Sequence, residues 1–353
     1  MGKLEFAYCP YSLVFKEPGG TSRGILKEKL TYFLRVRCAE DPTKESYGEV
    51  PIFPGLSHEN VVQLENILNS LIHSDSPLDI PEIQEFSSLI FGIEQALKEL
   101  NSQNDIIFPS PFTEGKSIII INGLIWMGSF RKMKERFLEK LKAGFSCIKI
   151  KIAAINWDDE LDFIRYIRET AGPDVTIRLD ANGGFSVDEC LGKLQQLSCF
   201  GIHSIEQPIR QGLWSEMKKV CEVSPIPIAL DEELIGIPPG VERSHMLEYI
   251  RPQYIILKPA LCYGFSGAQD WITRAGKLGI GYWITSALES SVGLSAIAQF
   301  TGRLEPDMPQ GLGTGNLFIN NFSSKLSLKG EQLYFNCNRP SYRDELKRLQ
   351  WIE

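Results

Sequence analysis

A chain of 353 residues, 43% hydrophobic and 23% charged, has room for one large domain with a buried core and a smaller companion. A net charge of −7 with no basic stretch argues against a general nucleic-acid binder. No apolar run reaches the roughly 18 residues that span a bilayer, and the start MGKLEFAYCPYSLVF lacks the basic, apolar and small-residue regions of a secretory leader.

Cysteine usage points the same way. Cys9, Cys38, Cys147, Cys190, Cys199, Cys221, Cys262 and Cys337 form no Cys-x-x-Cys pair and no Cys/His cluster. They read as small apolar residues in a reducing cytoplasm, and no structural zinc site is visible.

The first hundred-odd residues read as α+β. Alternation near 3–15 and 27–38 predicts two strands of a small antiparallel sheet, with EPGGTSRGI, residues 17–25, as a glycine-rich loop between them. Helical periodicity follows at 58–74 and 81–100, with Ser57, and Asp79 or Pro81, as start signals. NSQNDIIFPSPFTEGKS then breaks the pattern and reads as a linker. From there, short β-branched runs alternate with helical ones: 118–125, 147–152, 175–180, 203–206, 226–231, 254–258, 281–286 and a weak run at 310–312. Such alternation predicts a parallel sheet, and eight units predict an α/β fold of the (β/α)8-barrel type with an α+β N-terminal capping domain. The rival, a doubly wound open sheet, lacks its Gly-x-Gly-x-x-Gly after an early strand. The expected division is 1–112 capping domain, 113–330 barrel and 331–353 tail returning to the cap.

Chemistry in such a barrel belongs at the C-terminal ends of its strands. There the chain places Lys149 and Lys151 in CIKIKI, Asp180 in IRLDANGG, Glu206 in SIEQPI, Asp231 in IALDEEL and Lys258 in IILKPA. By the pleat, Lys149 and Lys151 share one face with Cys147, and Ile148, Ile150 and Ile152 take the other; the same parity turns Arg178 inward beside Asp180. Three carboxylates on adjacent strands repel one another unless a cation joins them. Oxygen donors without His or Cys suit Mg²⁺, or Mn²⁺. Lys151 and Lys258 would flank that metal from nearly opposite strands. An ammonium close to the metal and to a second lysine should have a lowered pKa and could act as a base, which suits proton removal α to a carboxylate. Taken singly, each residue has a plain reading: a wet strand face for the lysines, a turn at Asp180, a cap or surface acid at Glu206 or Asp231. Glu232 is either a support of the site or a surface residue. Five charged positions in phase on five consecutive strands favour chemistry.

KIK at 149–151, DAN at 180–182, EQP at 206–208, DE at 231–232 and KP at 258–259, in that order and spacing, resemble the enolase superfamily. YGEVPIFPGLS (47–57) and FGIEQAL (91–97) are similar to its capping domain. INGLI at 121–125, RLDAN at 178–182 and SALESSVG at 286–293 look most like the branch that eliminates water from a cyclohexadiene carboxylate. The resemblance implies Lys151 as the base, Asp180, Glu206 and Asp231 as metal ligands, and Lys258 as the group that stabilises the enediolate, with Lys149 and Arg178 in support. It implies a small dicarboxylate substrate. Substrate contacts are expected at Arg178, Asn182, Ser286, Ser290, Ser291, Gly293 and Arg23. The stretch Ser290–Gly293 would open a helix receiving a second carboxylate, and the loop Gly19–Gly24 would close as a lid. A racemase using His near the seventh strand is excluded, since the histidines are His58, His73, His203 and His245. His203 begins a strand and is read as structural. Dipeptide epimerases carry Asp-x-Asp at the eighth strand, where this chain has GLGTG. Racemisation of N-succinylamino acids, and a barrel that binds an acidic metabolite without turnover, remain as alternatives. No nucleic-acid or membrane partner is expected, and the oligomeric state is open.

Overall fold

Apolar alternation draws the first fifty residues into a sheet. The computed structural model describes residues 3–21, 24–53, 55–74, 76–77, 80–102 and 105–353. In it β1 (Leu4–Thr21), β2 (Gly24–Cys38) and β3 (Asp41–Val50) form an antiparallel sheet in that order. Phe6 lies opposite Val36 and Tyr8 opposite Leu34. These side chains, with Leu4 and Tyr32, point into one core cluster, as a period of two requires.

Two readings of this region are corrected. Residues 17–25 are strand wherever they are described: after a register slip between Val14 and Gly19 the β1–β2 pairing resumes to Thr21 and Gly24. Arg23 lies outside the described residues. Strand β3 went unread because DPTKESYGEV has little apolar alternation; pairing with β2 recruits it.

Helix α1 (Val61–Ile72) starts at Asn60, whose side chain accepts from the N–H groups of Val62 and Gln63, rather than at Ser57. It buries Leu64, Leu68 and Leu71, one stripe of a 3.6-residue period. The helix expected over 81–100 is two pieces, a 3₁₀ turn at Pro81–Glu85 and α2 (Ser87–Leu100), parted by extended Phe86; Asp79 lies outside the described residues. Helix α2 packs on β3 backbone to backbone: a Cβ on Gly48 would sit 2.0 Å from the carbonyl oxygen of Gly92.

The run 118–125 divides because its halves serve different sheets. β4 (Ile119–Ile120) pairs antiparallel with a later strand, whereas β5 (Gly123–Ile125) opens a parallel sheet. Strand and helix then alternate: α3 (Phe130–Lys142), β6 (Cys147–Lys151), α4 (Trp157–Ala171), β7 (Thr176–Asp180), α5 (Val187–Leu197), β8 (Ile202–Glu206) and α6 (Trp214–Val223). They continue with β9 (Ile228–Leu230), α7 (Val241–Ile250), β10 (Tyr254–Leu257), α8 (Gly264–Lys277), β11 (Gly281–Ile284) and α9 (Ser291–Arg303). Strands β5 to β11 lie side by side in chain order, all parallel. The expected eighth run consists of two parallel bridges, Gln310 to Ile121 and Gly311 to Thr285.

Ile148, Ile150 and Ile152 are buried in the layer between sheet and helices, together with Phe163, Ile164 and Ile167 of α4. Helix starts carry side-chain caps at Ser129, Asn156, Ser186 and Ser290. Helix α9 is buried from Ser291 to Gly302.

The chain ends with β12 (Leu326–Lys329), β13 (Gln332–Phe335) and α10 (Arg343–Leu346). β13 pairs with both β12 and β4. Ile352 bridges Tyr8, and Arg343 and Tyr342 reach Glu99 of α2. Among the described residues no helix is long and apolar enough to cross a membrane, and all eight cysteines are free.

Candidate active site

Register places the charges. Lys149 lies beside Arg178 and Lys151 beside Asp180 across β6–β7, and Asp180 lies beside Glu206 across β7–β8. Asp231 and Lys258 follow the last residues of β9 and β10. All five strand ends therefore meet at one level, each side chain turned inward by parity.

The charged groups form one linked set, from Glu206 through Lys149, Asp180, Lys151 and Asn182 to Glu232, and one separate pair, Lys258 with Asp231. Lys149 Nζ is 2.9 Å from Asp180 Oδ2 and also pairs with Glu206. Lys151 Nζ is 3.0 Å from Asp180 Oδ2 and donates to Asn182 Oδ1 at 2.6 Å. Asn182 donates in turn to Glu232 Oε1 at 3.1 Å, and Lys258 pairs with Asp231. Asp180, Glu206, Asp231 and Glu232 are all buried. Ammonium groups bridge the carboxylates, and among the described residues no three Asp, Glu, His or Cys side chains form a ready cation cage. Glu206 Oε1 is buried with no hydrogen-bond partner.

Ionisation follows from this packing. Burial alone would lower the Lys149 pKa, but Asp180, Glu206 and Asp231 outweigh it and hold it above its ordinary value. Lys258 is raised likewise, against burial, by Asp231 and Glu232. Asp180, despite burial, is held well below the usual carboxylate range by Lys149 and Lys151. Burial, opposed by Lys149 and reinforced by Asp180 and Asp231, pushes Glu206 up to about 7. Burial and the neighbouring Asp231 also raise Glu232.

Backbone conformations at this end are unusual. Ala153, Asn182, Gln207, Tyr263 and Leu288, in the segments after β6, β7, β8, β10 and β11, all have φ between 37° and 66°. Non-glycine residues in that region cost about 1–3 kcal/mol each, and such strain concentrates at functional sites. Gln207 is held there by its side chain, which accepts from Asp231 N and Glu233 N, both at 3.2 Å, and donates to Glu233 Oε2 at 2.9 Å.

The site opens into a cavity of about 330 Å³ lined by Lys149, Lys151, Asp180, Asn182, Asp231, Glu232 and Lys258. Its other walls include Phe53, Leu56, Trp126, Arg136, Ser286, Leu288 and Leu317. Glu206 stands behind this lining, held by Lys149. Arg178 lies beneath it, its guanidinium 4.0 Å from the Trp283 ring centroid and donating to the Pro309 carbonyl at 2.7 Å. Arg178 is therefore no wall of the cavity. His203, as expected, sits apart, stacked on Tyr254, with its pKa lowered to about 4 by burial and Arg178.

The segment expected to receive a second carboxylate has protein partners instead. Ser290, Ser291 and Gly293 do begin a helix, but its N–H groups are already engaged. Glu49 of β3 accepts from Ser290 N at 3.0 Å, Ser290 Oγ at 2.6 Å and Gly293 N at 2.9 Å, and Asn321 Oδ1 accepts from Ser291 N at 2.7 Å. None of the three residues lines the cavity, whereas Ser286 does. Trp126, Arg136, Phe53, Leu56, Leu288 and Leu317 were not read as cavity residues. The segment YGEVPIFPGLS holds Glu49, Phe53 and Leu56, a signal that was present without a role attached.

Residues 132–311 match the enolase C-terminal domain-like family, and the chain belongs to the enolase superfamily. It is 44% identical to the o-succinylbenzoate synthase of Desulfotalea psychrophila, over 94% of this chain and 98% of that protein. The crystal structure of MenC from the same organism superposes with a TM-score of 0.83 at 40% identity, covering 94% of this chain and all of that one. A dipeptide epimerase from Cytophaga hutchinsonii, crystallised with Mg and a dipeptide, shares the fold at 23% identity (TM-score 0.82, 99% of both chains).

Proposed function

We infer that this chain removes the proton α to a substrate carboxylate and eliminates water from a cyclohexadiene carboxylate, forming o-succinylbenzoate, a carbon–oxygen lyase reaction of menaquinone biosynthesis. The observation that carries the reading is the convergence of Lys149, Lys151 and Lys258 on Asp180 and Asp231 in the lining of one cavity, with Glu206 directly behind Lys149.

The donor set fits a hard divalent cation, Mg²⁺ or Mn²⁺, with three carboxylates, no sulfur or imidazole, and a buried Glu206 oxygen lacking a partner. Asp180, Glu206 and Asp231 would hold the cation, which when bound would draw charge from the substrate carboxylate and make the α-proton more acidic. Lys151 accepts that proton at Nζ, positioned by Asn182. Lys258, on the β10 side, opposes the negative charge of the enediolate that proton removal creates; that charge is discharged as the C–O bond breaks, and the departing oxygen takes up a proton equivalent to the one removed and leaves as water. Lys149, between Asp180 and Glu206, offsets their mutual repulsion. The apolar walls exclude water from the reacting carbon.

The same reading extends to the architecture. The bridges of Gln310 and Gly311 support an eighth strand that closes the ring. Residues 1–112 act as the cap and 113–330 as the barrel, with the tail tied back to the cap. The lid role stays with residues 19–24, of which 22 and 23 lie outside the described residues; further down the same hairpin Leu13 and Phe15 cluster with Phe53 and Leu288, two residues of the cavity wall. Free cysteines support a cytoplasmic setting.

The test is an absorbance assay with the hydroxylated cyclohexadiene substrate and Mg²⁺, with EDTA as control. Metal-dependent aromatisation is expected. Silence there, with α-deuterium exchange in N-succinylamino acids, would move the substrate to racemisation; silence in both would leave a binding protein.

A further inference from the structure

The cavity has two chemically different regions. Its floor carries the three lysines and their acids, and its walls toward the mouth are Phe53, Leu56, Trp126, Leu288 and Leu317. A ring and a short carbon arm suit those walls; a second carboxylate does not, unless a cation meets it. Five described cations line the cavity: Arg136, Lys140, Lys149, Lys151 and Lys258. The last three each pair with a strand-end carboxylate. Lys140 lies on the helix side of β5, its stem against Gly123 and its ammonium 4.9 Å from the Phe145 ring centroid.

Arg136 differs from all of them. One turn earlier on α3, its guanidinium reaches to the loop after β5, where Nη1 donates to the Trp126 carbonyl at 3.3 Å and lies 3.7 Å from where a Gly128 Cβ would stand. Its acidic partner is Glu17, 3.6 Å away with a side chain 83% exposed. An ion pair of that kind is weak in water and readily exchanged. A guanidinium also offers a planar fork matched to a carboxylate.

We propose that Arg136 determines specificity by receiving, from the cavity side, the terminal carboxylate of the substrate's succinyl arm, in competition with the exposed Glu17 on its other side. The assignment rests on the reading of the chain as an enzyme that forms o-succinylbenzoate. It puts the arm's recognition on α3, beside the loop after the first parallel strand, rather than on the N-terminus of α9, whose donors Glu49 and Asn321 already engage.

Calorimetric binding in Mg²⁺ buffer tests it with two ligands, o-succinylbenzoate and 2-propanoylbenzoate, which keeps the ring and ketone but lacks the terminal carboxylate. The wild type should prefer o-succinylbenzoate by about tenfold or more, the size of one charge-assisted hydrogen bond. Arg136→Gln should bind o-succinylbenzoate about tenfold more weakly and 2-propanoylbenzoate within about twofold of wild type. Arg136→Lys should fall between, since it keeps the charge and loses the fork. Equal losses for both ligands, or no loss for either, would overturn the assignment. A wild type that aromatises the cyclohexadiene substrate while Arg136→Gln stays indifferent sinks this inference alone. A wild type that does neither sinks the functional reading with it.

Discussion

Glu49 caps Ser290 across the two halves of the molecule. The carboxylate, fully buried on β3, accepts from the Ser290 backbone and hydroxyl and from Gly293 N, and Thr31 Oγ1 donates to it at 3.0 Å. A negative charge at a helix N-terminus is favourable, more so when partly dehydrated. The N-terminal sheet is thereby tied to the segment after β11 that presents Ser286, Ala287 and Leu288 to the cavity. Removing the carboxylate leaves buried donors unmet. Glu49→Ala should cost about 3–5 kcal/mol of stability, measured by denaturant titration. A loss below about 1 kcal/mol would show the contact to be dispensable.

Lys151 is the residue whose loss should separate chemistry from structure. Lys151→Ala should lower turnover by at least about a hundredfold, the low end for a general base. Binding of o-succinylbenzoate should persist, and the circular dichroism spectrum should not change. Retained turnover would remove Lys151 from the reaction.

Metal binding can be read without activity. Mg²⁺ or Mn²⁺ should raise the wild-type melting temperature, because a ligand that binds the folded state stabilises it by mass action. EDTA should reverse the rise, and Glu206→Gln should abolish it. An equal rise in wild type and variant would place the cation elsewhere.

The tail makes a separate prediction about pH. Burial, only partly opposed by Arg343, raises the Glu99 pKa from the ordinary 4.5 to about 8. The folded state therefore keeps a proton that the unfolded chain loses. That stability is fully present below about pH 4.5 and is lost as pH rises through 8. Melting temperature should fall across that window in the wild type, and Glu99→Gln, neutral throughout, should flatten the fall. An unchanged slope would show that Glu99 is ionised in the folded protein at neutral pH, held by Arg343 and Tyr342.

The strand ends were legible because parity and order are local. In CIKIKI, alternate residues must face opposite sides, and Lys149 and Lys151 cannot both be buried without acids nearby. Asp180, Glu206, Asp231 and Lys258 each stand at the end of a short β-branched run, so their meeting follows once the runs pair in chain order. Strand β3 was illegible for the opposite reason, since its pairing with β2 comes from a partner rather than from its own pattern. The 3₁₀ break at Phe86 and the division of 118–125 between two sheets are likewise set by what each piece packs against.

By itself the sequence determined the parallel strand order, the inward parity of five charged positions and the likeness to one superfamily. These rest on periodicity and spacing, which the chain carries in every conformation. Only the tertiary structure decided that Glu49 occupies the N-terminus of α9, that Arg178 lies beneath the cavity against Trp283, and that Arg136 reaches its wall. Those contacts join residues from about one hundred to more than two hundred positions apart or turn on how a long side chain bends, and no local pattern encodes either.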